Sequence, residues 1–469
     1  MENKYVTIPE PIPYGKIKIS TFDLLYIKNM VITADINEHT ELNLTGILSD
    51  DKRDEYIYKN INKPIKVYSE INNQTQTIYI GIVTELKLIK IDNCYEIKIK
   101  AKSYTYILDI KKRKRSFQDK LRMLYDLIQE ITKNCGNGNS YMNIPNEQLG
   151  RLWVQYDETD WQFIKRIASY YNAGIYPYSI LEGINYYVGT PNMAVKNIAI
   201  NEYTVTKLFD KYERIKQNEI PTLNEIDFIV YKIESYEILN LGDCINFYGH
   251  PLYISKLKYE IVDGILKNTY LLQTKGGQQT ERIYNGKLQG ISLEGSVIEV
   301  IKDEIKVKLD IDKIQEKEKA RLFKYSTIAA SPDGSGWYFM PELKDRVRIY
   351  FPNNDEENAF AKSCIHQIKG DPDTKYIANI HGQKIVFTPS SITISASNNA
   401  TIVLNKNGSI SIAGANISVN ASDSISMRAE NNVLLSGKNN VDITCDKGGK
   451  VILDGGGNVI LKGTKVKIN

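Results

Sequence analysis

Residues 441–469 read VDITCDKGGKVILDGGGNVILKGTKVKIN, and their spacing decides the fold. Apolar-x-apolar triplets alternate with short runs of Gly, Asn, Asp, Ser and Lys. Such triplets begin at Ile385, Ile392, Ile402, Ile410, Ile417, Ile425, Val433, Val441, Val451, Val459 and Val466, at steps of 7, 10, 8, 7, 8, 8, 8, 10, 8 and 7 residues. A near-fixed period marks a repeat architecture. In an extended triplet the outer two side chains share one face and the middle one takes the other. Ile410 and Ile412, Val433 and Leu435, Val451 and Leu453, and Val459 and Leu461 therefore form one apolar face. Ser411, Ser418, Ser426 and Asp442 keep the opposite face wet. Small polar residues between triplets suit corners, so the strip is expected to bend at every repeat.

That apolar face needs cover. Three repeats per turn would make a single-chain β-helix of under four turns, with an exposed end edge that the closing residues KVKIN do not cap. Three chains wrapped together, each supplying one side of a triangular prism, need no such cap. At ~4.8 Å between strands the resulting rod is on the order of 50 Å long. The intertwined trimer is the favoured reading.

Working back toward the N-terminus, residues 1–104 read as strands. GKIKIS, KPIKVYSEI, TQTIYIGIVTELKLIKI and YEIKIKAKS alternate apolar and polar residues with period two. SFQDKLRMLYDLIQEITKNCG then switches to helical spacing, with Leu121, Leu124, Tyr125, Ile128 and Ile131 on one face, Ser116 as the start cap and Gly136 as the stop. In YDETDWQFIKRIASYYNAG, Thr159 and Gln162 have capping-box spacing. Phe163, Ile164, Ile167 and Tyr171 form the buried face, and Gly174 is assigned the left-handed stop. Asp157, Glu158 and Asp160 fall where a helix dipole favours negative charge. Strands resume and continue weakly to about 280. A polar linker, TKGGQQTERIYNGK, precedes short strands with Gly and Pro turns that suggest a small barrel. The expected organisation is mainly β: a hub at 1–285 with an α/β insertion at about 103–180, a barrel domain at 286–375 and a β-helical spike at 376–469.

Three segments together resemble the hub–spike proteins of contractile injection systems. These include the VgrG proteins of type VI secretion and the fused hub and needle of phage tails and R-type bacteriocins. LWVQYDETDWQFIKRIASYYNAGIYPY matches the family's hub segment through Gln155, Tyr156, Glu158, Thr159, Asp160, Phe163, Ile164, Arg166, Gly174, Ile175 and Tyr176. SPDGSGWYFMPELKDRVRIYF resembles its barrel segment through Gly334, Gly336, Trp337, Pro341, Val347 and Phe351. The terminal repeats are the third. Lys344-Asp345 stands where the family often has Gly, and PNNDEEN replaces its usual acidic and Pro run. The resemblance implies an OB-fold barrel, a homotrimer, and a hub of two small β-barrels per chain under a tail tube. It also implies baseplate or wedge proteins around the hub, a PAAR-like tip protein on the spike, and the target cell envelope as the surface that is pierced. Thr159, Trp161, Phe163, Gly174, Trp337 and Pro341 would then be structural, with Trp337 anchoring the barrel.

Other chemistries find little support. A net charge of +4 on 469 residues argues against a nucleic-acid or membrane-surface binder. The five cysteines are scattered without a CxxC pair, so neither a disulfide framework nor a zinc site is indicated. His39, His250, His366 and His381 share no metal spacing, and Cys364 with His366 reads as two strand residues. DETD reads as a helix start rather than an acid–base pair. The basic run Lys111 to Arg115 reads as a solvated loop. No catalytic residue, metal or cofactor is assigned. The N-terminus lacks a signal-peptide h-region, so synthesis in the cytoplasm and assembly into a phage-tail-like particle are expected. Competing functions are a trimeric β-helical fibre that binds a cell-surface receptor, and a spike with envelope-degrading activity.

Overall fold

The computed structural model describes residues 10–465 and 467, apart from 50–51, 59–63, 72, 93, 201, 219, 221–222, 367 and 398–399. The chain divides into two units, Met1–Gln367 and Ile368–Asn469. Both are dominated by strands.

The first unit is built on a twelve-stranded sheet. One half runs Tyr26–Asp35, Glu41–Leu48, Cys94–Lys102, Gln74–Ile91, Ile65–Ile71 and Ile17–Ile19 in spatial order. The other half runs Tyr203–Lys207, Ile229–Ser235, Ile265–Gln273 and His250–Val262. The period-two pattern becomes burial: along Ile265–Gln273 every second side chain is buried and its neighbours are half-buried. Where the resemblance implies two small barrels, Lys256–Glu260 pair antiparallel with Val31–Asp35, so the two halves join edge to edge into one sheet with one core. The helix Phe209–Asn218 lies between the strand segments INYYVG and EIDFIVYKIESYEI, in a stretch to which the sequence reading assigned no element.

The α/β insertion carries its own core. Helices Leu124–Lys133 and Asp160–Ser169 pack with a three-stranded sheet of Ile175–Pro177, Ile184–Val188 and Gly138–Met142. Trp161 and Phe163 are buried in this core. Two expectations are corrected. The first helix starts at Leu124 and has Met123 at its cap position without a side-chain cap; Ser116 lies in the strand Lys112–Phe117. Leu121 therefore falls outside the helix and is exposed. The basic run is likewise a strand rather than a loop, paired antiparallel with Trp153–Thr159.

After the second helix the left-handed stop is Asn172, with φ 50°. Gly174 is not in that conformation. It is small because a Cβ there would lie 2.2 Å from the Cγ2 of Ile36, in the turn that follows the strand Tyr26–Asp35.

The closed barrel comprises Ser292–Ile301, Glu304–Leu309, Leu322–Ser326, Arg346–Tyr350 and Phe360–Cys364. Taking these as first to fifth, their order round the barrel is first, second, third, fifth, fourth. Only the third–fifth pair is parallel. Ile305, Val307, Phe323, Val347, Ile349 and Phe351 fill the interior. Trp337 does not: it sits in the connection between the third and fourth strands, 46% exposed, its ring tilted 35° to that of Phe339 with centroids 5.5 Å apart. Within that connection Gly336 and Ala330 pair with each other, and the Tyr338 hydroxyl donates to the Lys302 carbonyl at 3.0 Å. Pro341 is buried. Lys344 takes φ 73°, the conformation the family pattern gives to Gly, so the turn survives the substitution.

The second unit holds two antiparallel meanders, Lys375–Ala378 through Ile410–Ala413 with five strands and Val441–Thr444 through Val459–Lys462 with three. Successive repeats are joined by hairpins, so the chain reverses where corners were expected. The reversals have a local cause: Gly382, Gly408, Gly448 and Gly457 take positive φ in the connecting turns. The triplets at Ile417, Ile425 and Val433 form no strand, and Val466 lies outside the described residues.

Candidate functional site: a buried ionic junction and an exposed apolar face

The DETD segment begins with a bulge. Asp157 takes φ 48° and breaks the register between Tyr156 and Glu158. The extra residue sends Asp157 outward to Lys287, 2.8 Å away, and turns Glu158 inward. Thr159 then caps the helix: its hydroxyl accepts from the Gln162 N–H, and the Gln162 side chain accepts from the Thr159 N–H at 3.2 Å. The same hydroxyl donates to Asp109, whose other oxygen lies 3.3 Å from His39 Nε2.

Asp160, in the first turn, collects the basic strand. Arg113 Nε and Arg115 Nη2 each reach its carboxylate at 2.6 Å, and Gln155 Nε2 donates to it at 3.0 Å. Strand alternation explains which cations do this: Arg113 and Arg115 face inward, while Lys112 and Lys114 stay exposed.

Arg166, on the buried face of the same helix, is 1% exposed. Its Nε and Nη2 donate to the two oxygens of Glu158 at 3.0 and 2.9 Å, and Nη2 also donates to the Val154 carbonyl. Its Nη1 reaches Glu356 Oε1, next to the last barrel strand, at 2.7 Å. Glu356 is wholly buried and accepts in addition from the Val154 N–H. Burial alone would depress the guanidinium, but Glu356 and Glu158 outweigh it and hold its pKa above the usual arginine value. Burial pushes the Glu158 carboxyl up against the pull of Arg166. Around this centre Arg151 pairs with Asp355, Arg321 with Glu357, and Leu152 N–H donates to Glu357 at 2.8 Å. Leu152 and Val154 insert among the barrel's core residues.

The segment from Gln155 to Arg166 thus works as a clamp. Gln155, Glu158, Thr159, Asp160 and Arg166 spend their polar groups inside the chain, and each of the three DETD carboxylates has a cationic partner. Glu356 and Arg321, the barrel's half of the junction, were missed from sequence. The only signal was the run of three acidic residues in PNNDEEN.

In the second unit the register aligns the triplets. Ile377, Ile385, Ile394, Ile402 and Ile412 sit opposite one another across five strands; Phe387, Ile392, Leu404 and Ile410 form a parallel row. In the smaller sheet Ile443, Val451 and Leu461 make one row, and Val441, Leu453 and Val459 the other. Ile410, Ile412, Leu453, Val459 and Leu461 are exposed and Val451 half-buried; Val433 and Leu435 are exposed outside the strands. An apolar sheet face of this extent is the surface that a second layer normally buries.

No protein-family model matches the sequence, and no curated protein sequence matches it. Solved structures do. A component of the Escherichia coli type VI secretion system, described as structurally similar to bacteriophage T4 tail proteins, superposes with a TM-score of 0.54 at 12% identity, covering 75% of this chain and 100% of that one. The fold is VgrG-like. A chain of the lidded Francisella PdpA–VgrG complex gives a TM-score of 0.53 at 11% identity, over 84% of this chain and 79% of that one. The lidless form gives 0.52 at 10%, over 82% and 93%. At these identities what is shared is the VgrG-like architecture, and the side-chain clamp described above is read from this chain alone.

Proposed function

We propose that this chain is the structural hub and membrane-puncturing spike of a contractile injection apparatus, joining a tail tube to the tip, and that it acts mechanically rather than as an enzyme. The observation that carries the reading is the isoleucine row from Ile377 to Ile412, exposed at every position but the half-buried Ile385 and backed by the VgrG-like fold. Burying one such side chain contributes roughly 1.5–3 kcal/mol. Three copies facing one another would supply that cover, each meander forming one side of a prism. The barrel's strand order, with its single parallel pair, supports reading it as an OB-fold. The hub would meet the tube and baseplate proteins, and the spike the target envelope. Three chains bound along a common apolar axis resist compression better than one sheet, because no chain can yield without opening the shared core.

Native mass measurement tests this. A species of three times 53.5 kDa is expected. A monomer at micromolar concentration would overturn the spike reading.

A further inference from the structure

The main sheet carries a second feature that the hub–spike reading does not use. The hairpin that joins Cys244–Phe247 to His250–Val262 turns through Tyr248 and Gly249, with φ 49° and 89°. Such a two-residue turn favours Asn or Asp at its first position, and a bulky aromatic there is strained. Tyr248 is nevertheless 67% exposed, so its ring is not held there by the core. It stands at the end of an aromatic cluster: Phe247 is 4.9 Å away, Tyr203 6.0 Å, and Tyr231 lies 4.6 Å from Phe247. Beside them opens a cleft of about 570 Å³ lined by Ile226, Tyr231, Phe247, Tyr248, Leu252 and Tyr253. Its rim carries His250 and Lys275, both exposed, and neither side chain has an ion pair or hydrogen bond among the described residues.

We propose that this cleft binds an acidic–apolar segment of a partner protein, taking an aromatic or aliphatic side chain between Tyr231 and Tyr248 and pairing a flanking carboxylate with Lys275 and His250. Charge selects this occupant. The two free groups at the rim are an ammonium and an imidazole, and no carboxylate lines the cleft, so a flanking carboxylate meets no like charge there. An apolar pocket with a few polar groups at one edge suits a side-chain anchor with a charged neighbour. Backbone strain at Tyr248 fits a residue kept for contact rather than for the turn. The inference does not depend on the injection reading.

The test overlays the full-length protein on an array of nonapeptides. Each peptide carries one Trp, Phe or Leu, flanked by Asp and Glu, by Ser, or by Lys; tetra-N-acetylglucosamine is a separate probe in solution. Fluorescence anisotropy on the strongest peptide should give an affinity at least tenfold above that of its Lys-flanked counterpart. Tyr248→Asn, which suits the turn, should lower that affinity at least tenfold while leaving the melting temperature unchanged or raised. Lys275→Glu should reverse the preference between acidic and basic flanks. Equal retention of all three peptide sets, binding of the oligosaccharide alone, no binding by any probe, or full affinity in Tyr248→Asn would each overturn the proposal.

Discussion

Arg166 and Glu356 are 190 positions apart in the chain and meet at 2.7 Å in its interior. The helix of the insertion and the edge of the barrel are joined by that contact, with Glu158 closing the other side of the guanidinium. A buried ion pair of this kind contributes little relative to a well-packed apolar alternative, yet removing one partner leaves an uncompensated charge.

Arg166→Leu is therefore expected to destabilise the first unit by about 3–5 kcal/mol, since Glu158 and Glu356 would both be left buried without their cation. Combining it with Glu158→Leu and Glu356→Met should recover most of that loss. Denaturant midpoints followed by intrinsic tryptophan fluorescence give the comparison. A single variant indistinguishable from the parent would refute the clamp.

Thr159 has two duties, the helix cap and the hydrogen bond to Asp109. Thr159→Ala should cost about 1–2 kcal/mol, and Thr159→Ser should retain most of the stability because it keeps the hydroxyl. Equal losses in both variants would mean that the methyl group, not the cap, matters.

At Gly174 the constraint is space. Gly174→Ala should destabilise by roughly 1–3 kcal/mol through its clash with Ile36. In an Ile36→Ala background the same change should be nearly neutral, because the obstructing Cγ2 is gone. Additive losses in the double variant would place the constraint elsewhere.

In the second unit, Ile412 and Ser411 are neighbours on opposite faces. Ile412→Lys should convert the expected trimer to a monomer, whereas Ser411→Lys should leave the mass unchanged. Sedimentation velocity distinguishes them, and dissociation by both or by neither would contradict the assignment of the apolar face.

In the barrel, Arg346 hydrogen-bonds Asp310 at 2.6 Å and holds its carboxyl below the usual aspartate range. A depressed carboxylate stabilises the fold above its unfolded pKa of about 3.9, and that contribution disappears as pH falls through the lower folded value. Asp310 is half exposed, so solvent screening keeps the effect of Asp310→Asn within about 1 kcal/mol at neutral pH. The difference between parent and variant should persist at pH 5 and shrink below pH ~3. A gap that widens toward acid pH would reverse the sign of the argument.

Local periodicity carried the reading of the strands. It also located the Asp160–Ser169 helix, because a capping box and an apolar stripe are both written within a single turn or two. It misplaced the start of the earlier helix for a related reason. Leu121 has the spacing of the helical stripe, but the strand Lys112–Phe117 pairs with Trp153–Thr159, and that pairing holds Ser116 extended with its N–H donating to Asp312 at 2.6 Å. The basic run looked solvated because its partner, Asp160, is 45 residues from Arg115. Gly174 looked like a helix stop because glycine often is one, whereas its neighbour Ile36 comes from a turn 138 positions earlier in the chain.

By itself the sequence determined the mainly β character, the capped helix and the periodic apolar face of the last hundred residues, since each depends on side-chain alternation over a few positions. Only the tertiary structure decided that Asp157 bulges outward while Glu158 turns in, that the two halves of the main sheet join edge to edge, and that Arg166 finds Glu356. Those outcomes depend on which distant surfaces meet. A buried charge takes whatever partner the packing brings within hydrogen-bond reach, and no local period encodes that choice.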